Sequence, residues 1–299
     1  MKMKKAILVS ALVWCGSVLV LGGTYEDLTA RADRLFREKK FKDAATAYED
    51  AALETESSAK RIRAKFGCWE SLKQVRNGDA VGAAESLLYE ESELSPEQMR
   101  TLIEFIAERS GEERRDKAIK FGAKKEGLTE YDRSLILKIA VNYGGAWDHA
   151  SEEILAMKHP APAARAVALG NVATTTLWGK RSPQTALPMF NEALAYKELG
   201  EEERQFFLLG RARCYMSLQN SRLAERDYRQ ALTLAAQPDL QNAGYGELLY
   251  LYSRLSKEPM KIGPLLEKAA KDESLRQRDR QRFVHMLEEF NKAKTNRKP

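Results

Sequence analysis

A small residue followed four positions later by a large apolar one recurs along this 299-residue chain at nearly regular intervals. The small residues are alanines, and the successive intervals between them are 39, 35, 32, 36 and 38 residues. These positions are Ala44, Ala83, Ala118, Ala150, Ala186 and Ala224. Apolar residues around them follow the helical period rather than the alternation of a strand. A repeat in the mid-thirties accommodates two helices and a turn, so the spacing predicts a stack of helix pairs.

The composition agrees with long helices that enclose a core. Hydrophobic residues make up 43% of the chain and charged residues 31%, while Gly and Pro number only 18 and 9. A hydrophobic fraction of this size excludes wholesale disorder. Within each predicted pair, small Ala side chains let two helices approach closely. The aromatic four positions later, such as Tyr48, Phe190 or Tyr228, fills the gap between neighbouring units.

Three segments resemble tetratricopeptide repeats. The first, which contains KKFKDAATAYEDAAL, has small and large apolar residues at the family's positions: Leu28, Ala32, Leu35, Phe41, Ala44, Tyr48 and Ala51. The second, which contains RLAERDYRQALTLAAQPD, matches through Leu208, Ala212, Tyr215, Ala224, Tyr228 and Ala231. The third, PQTALPMFNEAL, matches through Ala186, Phe190 and Ala193. Between about 59 and 160 the match is weaker, because Gly122 and Met157 depart from the family pattern. That stretch is closer to a generic α-solenoid.

The resemblance implies an all-α protein folded as a right-handed α-α superhelix of TPR-like helix pairs. We expect about seven pairs followed by a C-terminal capping helix near 276–294, since open-ended arrays need a polar terminal element. The predicted organisation is a signal peptide or N-terminal membrane anchor at 1–23, a TPR-like solenoid at 24–274, and a capping helix with a basic tail at 275–299.

The first 23 residues have the layout of a secretory signal peptide. Lys2, Lys4 and Lys5 precede an uncharged apolar run from Ala6 to Leu21, and Gly22 and Gly23 are small enough for cleavage. The run is also nearly long enough to span a bilayer, so an uncleaved anchor through residues 6–21 is the alternative. Either form predicts an exported protein, periplasmic or associated with the cell envelope.

Lipidation and disulfide formation are the two less favoured hypotheses for the cysteines. Cys15 would carry a lipid only if the apolar run ended before it, yet the run continues to Leu21. Cys68 and Cys214 lie 146 residues apart, several repeats away from each other in a solenoid. We expect both to be small apolar core residues on first helices.

The net charge of +6 is concentrated at the two ends of the chain. Residues 1–23 contribute +3 and residues 271–299 contribute +4, which leaves −1 for residues 24–270. The solenoid itself is therefore nearly neutral, and a nucleic-acid partner is not expected. On the final helix, Arg276 and Arg280 share one side and Arg278 and Arg282 another. We expect this basic tail to be solvated rather than bound to lipid or polyanion.

The motifs of the common catalytic and metal sites are absent from the sequence. His149, His159 and His285 have no partner at ligand spacing, and the cysteines lack a CxxC pair. Phosphate-binding loops and a GxSxG nucleophile motif are missing too. The prediction is therefore no catalytic residue, no metal and no cofactor.

The family resemblance implies a concave groove lined by the first helix of each pair. In the two best units the corresponding positions are Glu26, Thr29, Asp33, Phe36 and Arg37, and then Phe206, Leu209, Arg213 and Met216. The alternative for Phe36, Phe206 and Met216 is packing against neighbouring helices. A further stripe, Tyr245, Leu248, Leu249 and Tyr252, has helical spacing and is assigned to the core.

The function implied is a non-catalytic protein–protein interaction scaffold of the cell envelope, with a peptide or partner protein in the groove. An envelope protein that binds glycan or peptidoglycan fragments is the alternative, and burial of Trp69, Trp147 and Trp178 would argue against it. A third hypothesis, an enzyme on a helical toroid, requires acidic side chains converging in a deep pocket.

Overall fold

The computed structural model describes residues 23–76, 78–143, 149–234 and 237–295. In these ranges it contains fifteen α-helices and no strand, which confirms the predicted all-α class. The predicted signal segment lies outside the described residues except for Gly23. Among the helices that the structure does describe, none is both long and apolar enough to cross a bilayer.

The chain divides between Leu94 and Ser95 into two compact units, a division that falls inside the predicted array 24–274. The first unit has four described helices: α1 (Tyr25–Arg37), α2 (Phe41–Leu53), α3 (Ser58–Lys73) and α4 (Ala80–Glu90). Within this unit α1 packs against α2, α2 against α3, and α3 against α4.

The second unit contains the other described helices. They are α5 (Pro96–Arg109), α6 (Glu112–Ala123), α7 (Glu130–Tyr143), α8 (Ala150–Ala156), α9 (Pro162–Trp178), α10 (Pro183–Ala195), α11 (Glu201–Ser217), α12 (Ser221–Leu234), α13 (Pro238–Tyr250), α14 (Ile262–Lys271) and α15 (Gln277–Thr295). A π-helical turn, Leu251–Leu255, directly continues α13, and a short 3₁₀ turn, Pro259–Lys261, leads into α14. The last helix lies where the terminal helix is predicted.

Contacts in the second unit follow an alternating pattern. Each helix packs against the next, and α5, α7, α9, α11 and α13 also contact one another in series. One row of odd-numbered helices therefore runs through this unit, with an even-numbered helix packed between each pair of neighbours.

The alanines that define the repeat all lie on even-numbered helices. Five of the six are fully or almost fully buried: Ala44, Ala118, Ala150, Ala186 and Ala224. The exception is on α4, where the neighbouring Ala84 is buried instead of Ala83. A repeat period read from alanines thus identifies one helix of each pair, because only a small side chain fits where two helix backbones approach closely.

In two of the helix pairs, the aromatic four positions after the alanine packs on a glycine of the next odd-numbered helix. A Cβ atom added to Gly67 of α3 would lie 2.6 Å from the Tyr48 ring, and one added to Gly210 of α11 would lie 2.5 Å from Phe190. On α6 the arrangement is reversed. A Cβ atom at Gly122 would meet Ile103 of α5 at 2.3 Å, so an isoleucine fills the space that the aromatic fills elsewhere.

Capping explains where several helices begin. Ser95 and Gln98 form a capping box at α5, with Ser95 Oγ accepting from the Gln98 backbone amide at 3.2 Å. Ser110 and Glu113 have the same spacing in the sequence, which predicts a second capping box at α6, and that prediction is wrong. Gly111 precedes α6, and Ser110 instead ends α5, its hydroxyl donating to the Ile106 carbonyl at 2.6 Å.

The predicted aromatic stripe lies in the core of the second unit. Tyr245, Leu248 and Tyr252 are buried and Leu249 is half-buried against the same cluster, as predicted. Tyr245 also packs on Phe283 of α15, with ring centroids 5.7 Å apart. The final helix is therefore held to α13 by an aromatic contact as well as by its packing on α14.

Candidate functional site

A cleft of about 680 Å³ opens on the row of odd-numbered helices in the second unit. Its lining comes from the C-terminal end of α9, from α11, from α13 and from the π-helical turn. Six of the lining residues are Trp178, Arg213, Met216, Glu247, Tyr250 and Leu255. We refer to it as the Trp178 cleft.

Charged and aromatic groups are stacked inside the Trp178 cleft. The guanidinium of Arg213 lies 4.6 Å from the centroid of the Trp178 ring. The same guanidinium donates twice to Oε1 of Glu247, at 2.9 and 2.7 Å. Tyr228 donates to the other carboxylate oxygen at 3.3 Å. Arg213 is therefore fixed between an indole and a carboxylate, and one side of Trp178 is already occupied.

The rim of the Trp178 cleft is apolar and exposed. Trp178, Tyr250 and Leu255 retain 54%, 51% and 45% of their accessible surface. Exposed large apolar side chains are usually scattered singly over a protein surface, so three around one cleft make it the candidate site. The loop before α10 adds Arg181, which is also exposed.

The π-helical turn that positions Leu255 is tied to α12 through Glu225. Tyr252 donates to the Glu225 carboxylate at 2.8 Å and Lys261 at 2.9 Å. Arg229 donates to it as well, at 2.9 Å. Burial opposes ionisation of Glu225, but the hydrogen bonds from these three side chains outweigh it and lower the pKa of the carboxyl.

A second cleft, of about 500 Å³, lies beside the N-terminal half of α11. Phe206, Tyr143 and Asn171 line it together with two acidic residues of α11, Glu202 and Glu203. We refer to it as the Phe206 cleft. Phe206 and Arg213 are seven residues apart, so two helical turns bring both clefts to the same side of α11.

The Phe206 cleft is acidic. Tyr143 donates to Glu108 of α5 at 3.2 Å. Burial raises the pKa of Tyr143 to about 12, and the negative charges of Glu108 and Glu104 add to that rise. Lys138 is the basic group placed against the acids, 3.5 Å from Glu203.

In the first unit, three predicted groove residues come together. Glu26, Thr29 and Asp33 line one shallow cleft of about 500 Å³. Glu26 pairs with Lys60 of α3 at 2.6 Å, and Asp33 accepts a hydrogen bond from Tyr48. Two polar positions of this groove are thus already bound to neighbouring helices of the unit.

The other two predicted residues of this unit lie at the end of α1. Phe36 packs edge-on against Phe41, with ring centroids 5.3 Å apart. Arg37 is exposed and donates to the Asp33 carbonyl at 3.2 Å.

The predicted groove residues of α11 divide between the clefts and the core. Phe206 lines one cleft, and Arg213 and Met216 line the other. Leu209 is buried in the core and lines neither. The predicted residues of α11 therefore lie at both clefts, whereas Glu247, Tyr250 and the other rim residues were not among the predicted ones.

Tyr250 had a sequence signal. It falls outside the buried stripe at 245, 248, 249 and 252, so on a helix it must point elsewhere. Its exposure followed from that spacing. Glu247 and Arg181 had no comparable signal.

Two of the four arginines predicted to form a basic tail are bound to α13. Arg276 donates to Asp239 at 2.7 Å and Arg282 to Asn242 at 2.8 Å. Arg278 is exposed, and Arg280 is half-buried. Residues 296–299 of the tail lie outside the described residues.

Titratable groups elsewhere are held in ordinary structural roles. Within the described ranges, no three His, Cys, Asp or Glu residues are grouped so that they could hold a metal ion. Cys68 and Cys214 are free thiols, Cys214 buried and Cys68 half-buried, and burial raises the pKa of each to about 11. Glu91, almost fully buried, pairs with Lys65 at 2.7 Å and with Arg61 at 3.2 Å.

The three tryptophans of the predicted body have different surroundings. Trp69 is buried and Trp178 is half exposed at its cleft, while Trp147 lies outside the described residues. No protein-family model matches the chain, and no curated protein matches it significantly.

Proposed function

We propose that this protein is a non-catalytic interaction scaffold, built as a tetratricopeptide-like solenoid, that holds a peptide or partner protein on the row of odd-numbered helices in its second unit. The observation that carries the proposal is the Trp178 cleft, with Trp178, Tyr250 and Leu255 half exposed around one opening. Such a cluster has a large apolar area left to bury, and aromatic residues dominate the binding energy of protein interfaces.

The way the helices pack also supports a TPR-like array. Odd-numbered helices contact one another in series, as the first helices of stacked helix pairs do. Buried alanines recur from pair to pair, and the aromatic-on-glycine contact is present in two of the pairs. Both clefts beside α11 open on this row, where repeat proteins of this type bind partners.

Residues 1–23 are the basis for proposing export. Their lysines and apolar run predict a signal peptide or a membrane tether, so we place the protein in the periplasm or at the cell envelope. Mass spectrometry of the N-terminus of the purified native protein tests this. An N-terminus at or near residue 24 indicates cleavage, while an intact chain in the membrane fraction indicates the tether.

Site-directed photo-crosslinking tests the interaction surface. A photoreactive phenylalanine analogue replaces Tyr250 or Phe206, both exposed on the odd-numbered row. Matched controls replace Arg222 and Gln230, which are exposed on α12. We expect the first pair to give one or more discrete protein adducts in cells and the controls to give none. Equal adducts from both pairs, or adducts from α12 alone, contradict the proposal.

A glycan-binding function is the second candidate, and the exposure of Trp178 favours it. An indole ring beside charged hydrogen-bonding groups is a surface on which a sugar ring can stack. Calorimetric titration of the protein with soluble peptidoglycan fragments tests this function. Binding of the fragments that Trp178→Ala abolishes supports a glycan-binding function. In the photo-crosslinking experiment, adducts whose mass is unchanged by digestion with a muramidase support a protein partner instead.

A further inference from the structure

We infer that the Trp178 cleft selects a peptide segment in which an aromatic or large aliphatic side chain is flanked by acidic residues. This inference rests on the proposed function and adds the chemistry of the partner. It combines three observations. The rim of the cleft is apolar, the charged side chains inside it pair with each other, and a positively charged arginine lies at its mouth.

The apolar rim determines the central side chain of the ligand. Trp178 and Tyr250 are half exposed, and Met216 lies partly buried between the elements that carry them. Arg213 covers one side of Trp178 at 4.6 Å, so a ligand packs against the remaining indole surface. A large apolar side chain removes the most water from such a surface, since burial contributes about 25 cal/mol per Å².

The charges inside the cleft cancel each other. Arg213 donates twice to Glu247, at 2.9 and 2.7 Å, and Glu247 accepts from Tyr228 as well. A carboxylate with three donors already in place has little to gain from a basic ligand. Glu247 therefore holds Arg213 in position and does not select the partner's charge.

The charge at the mouth is positive. Arg181 lines the cleft and is exposed. Apart from Glu247, the lining holds no acidic residue. Charge complementarity therefore favours Asp or Glu on either side of the apolar anchor and rejects Lys and Arg.

Fluorescence anisotropy with the full-length protein tests the inference. The probe is a short fluorescein-labelled peptide, blocked at both ends, whose single phenylalanine is flanked by aspartate and glutamate. One comparison peptide has lysines at the acidic positions, and another has glycine in place of phenylalanine. We expect the acidic peptide to bind at least about tenfold more tightly than either, with affinity that falls as salt is raised.

Protein variants locate the binding to the cleft. Arg181→Glu should weaken binding of the acidic peptide about tenfold through charge repulsion. The matched control Arg222→Glu makes the same change in net charge at an exposed position of α12 and should leave the affinity within about twofold. Trp178→Ala should abolish binding, and circular dichroism checks that each variant is folded.

The outcomes separate this inference from the proposed function. Equal binding of the lysine peptide, or equal effects of Arg181→Glu and Arg222→Glu, overturns the acidic selection. Failure of every peptide to bind also overturns it, while discrete protein adducts from Tyr250 would leave the interaction function standing. Competition by peptidoglycan fragments against the acidic peptide would assign the cleft to a glycan instead.

Discussion

Two arginines two residues apart on α11 form ion pairs of different kinds. Arg211 donates to Asp227 of α12 at 2.6 and 3.0 Å, and Asp227 is completely buried. Arg213 donates to Glu247 of α13, and about a quarter of each of those side chains remains exposed. The first pair lies between α11 and its own partner helix. The second lies in the Trp178 cleft, between neighbouring odd-numbered helices.

The comparison distinguishes a buried ion pair that stabilises the fold from a partly exposed ion pair that a ligand could contact. A buried carboxylate that loses its partner leaves an uncompensated charge, which is strongly destabilising. A pair that is about a quarter exposed is partly rehydrated when it breaks, so it contributes less to the free energy of unfolding. The same residue type on one helix therefore stabilises the fold on one side and shapes a surface on the other.

Removing the buried pair should have the largest effect. We expect Arg211→Ala to lower the free energy of unfolding by about 3 kcal/mol, because Asp227 would keep only the more exposed Arg226 as its partner. Urea denaturation followed by circular dichroism measures the change.

The matched change on the cleft side is Arg213→Ala. It should cost about 1 kcal/mol or less of unfolding free energy, since its ion pair is partly hydrated. If it destabilises the protein as much as Arg211→Ala, the distinction between the two pairs fails.

Two glycines should respond oppositely to alanine. Gly210, next to Arg211, has no room for a Cβ atom, because Phe190 would lie 2.5 Å away. Gly246, next to Glu247, has no heavy atom within 4 Å of that position. We expect Gly210→Ala to destabilise by about 1–2 kcal/mol and Gly246→Ala to stabilise by about 0.5–1 kcal/mol. Thermal unfolding of the two variants, measured side by side, checks both signs, and a shift in the same direction would contradict the packing described.

The smallest predicted effect concerns acid stability near the cleft. The folded-state pKa of Glu225 is lowered from its ordinary value of 4.5, so its contribution is complete above that value and is lost as the pH falls through the folded pKa. Glu225→Gln should remove less than about 1 kcal/mol at pH near 6 and a smaller amount at pH near 3. The difference in melting temperature between wild type and variant at the two pH values measures this. A difference that grows on acidification would contradict the assignment.

Much of the helical framework followed from local sequence. Alanine spacing placed one helix in each pair because close helix approach tolerates only a small side chain. Ser95 and Gln98 marked the start of α5 through a hydrogen-bonding pattern four residues long. At Ser110 the same local rule was wrong, because the hydroxyl had an alternative acceptor one turn back, in the helix that it ends.

The cleft was only partly predictable. Arg213 and Met216 were predicted because the resemblance to tetratricopeptide repeats places them on the groove side of a first helix. Glu247 and Tyr250 lie on α13 and Leu255 in the π-helical turn after it. They line the same cleft as Trp178 because of the way α9, α11 and α13 pack together. Contacts of that kind join residues about 70 positions apart, and no periodicity in one helix encodes them.

Because a π-helical turn follows α13, the shape of the cleft mouth depends on the exact number of residues in that turn. Its hydrogen bond runs from the Ser256 amide to the Leu251 carbonyl at 2.8 Å, five residues back instead of four. Such a turn is one residue longer than an α-helical turn, and one residue corresponds to a rotation of about 100°. Deleting one residue here would return the segment to α-helical register and swing Leu255 away from Tyr250. A lineage that gained or lost this residue would therefore reshape the cleft without substituting any side chain that lines it.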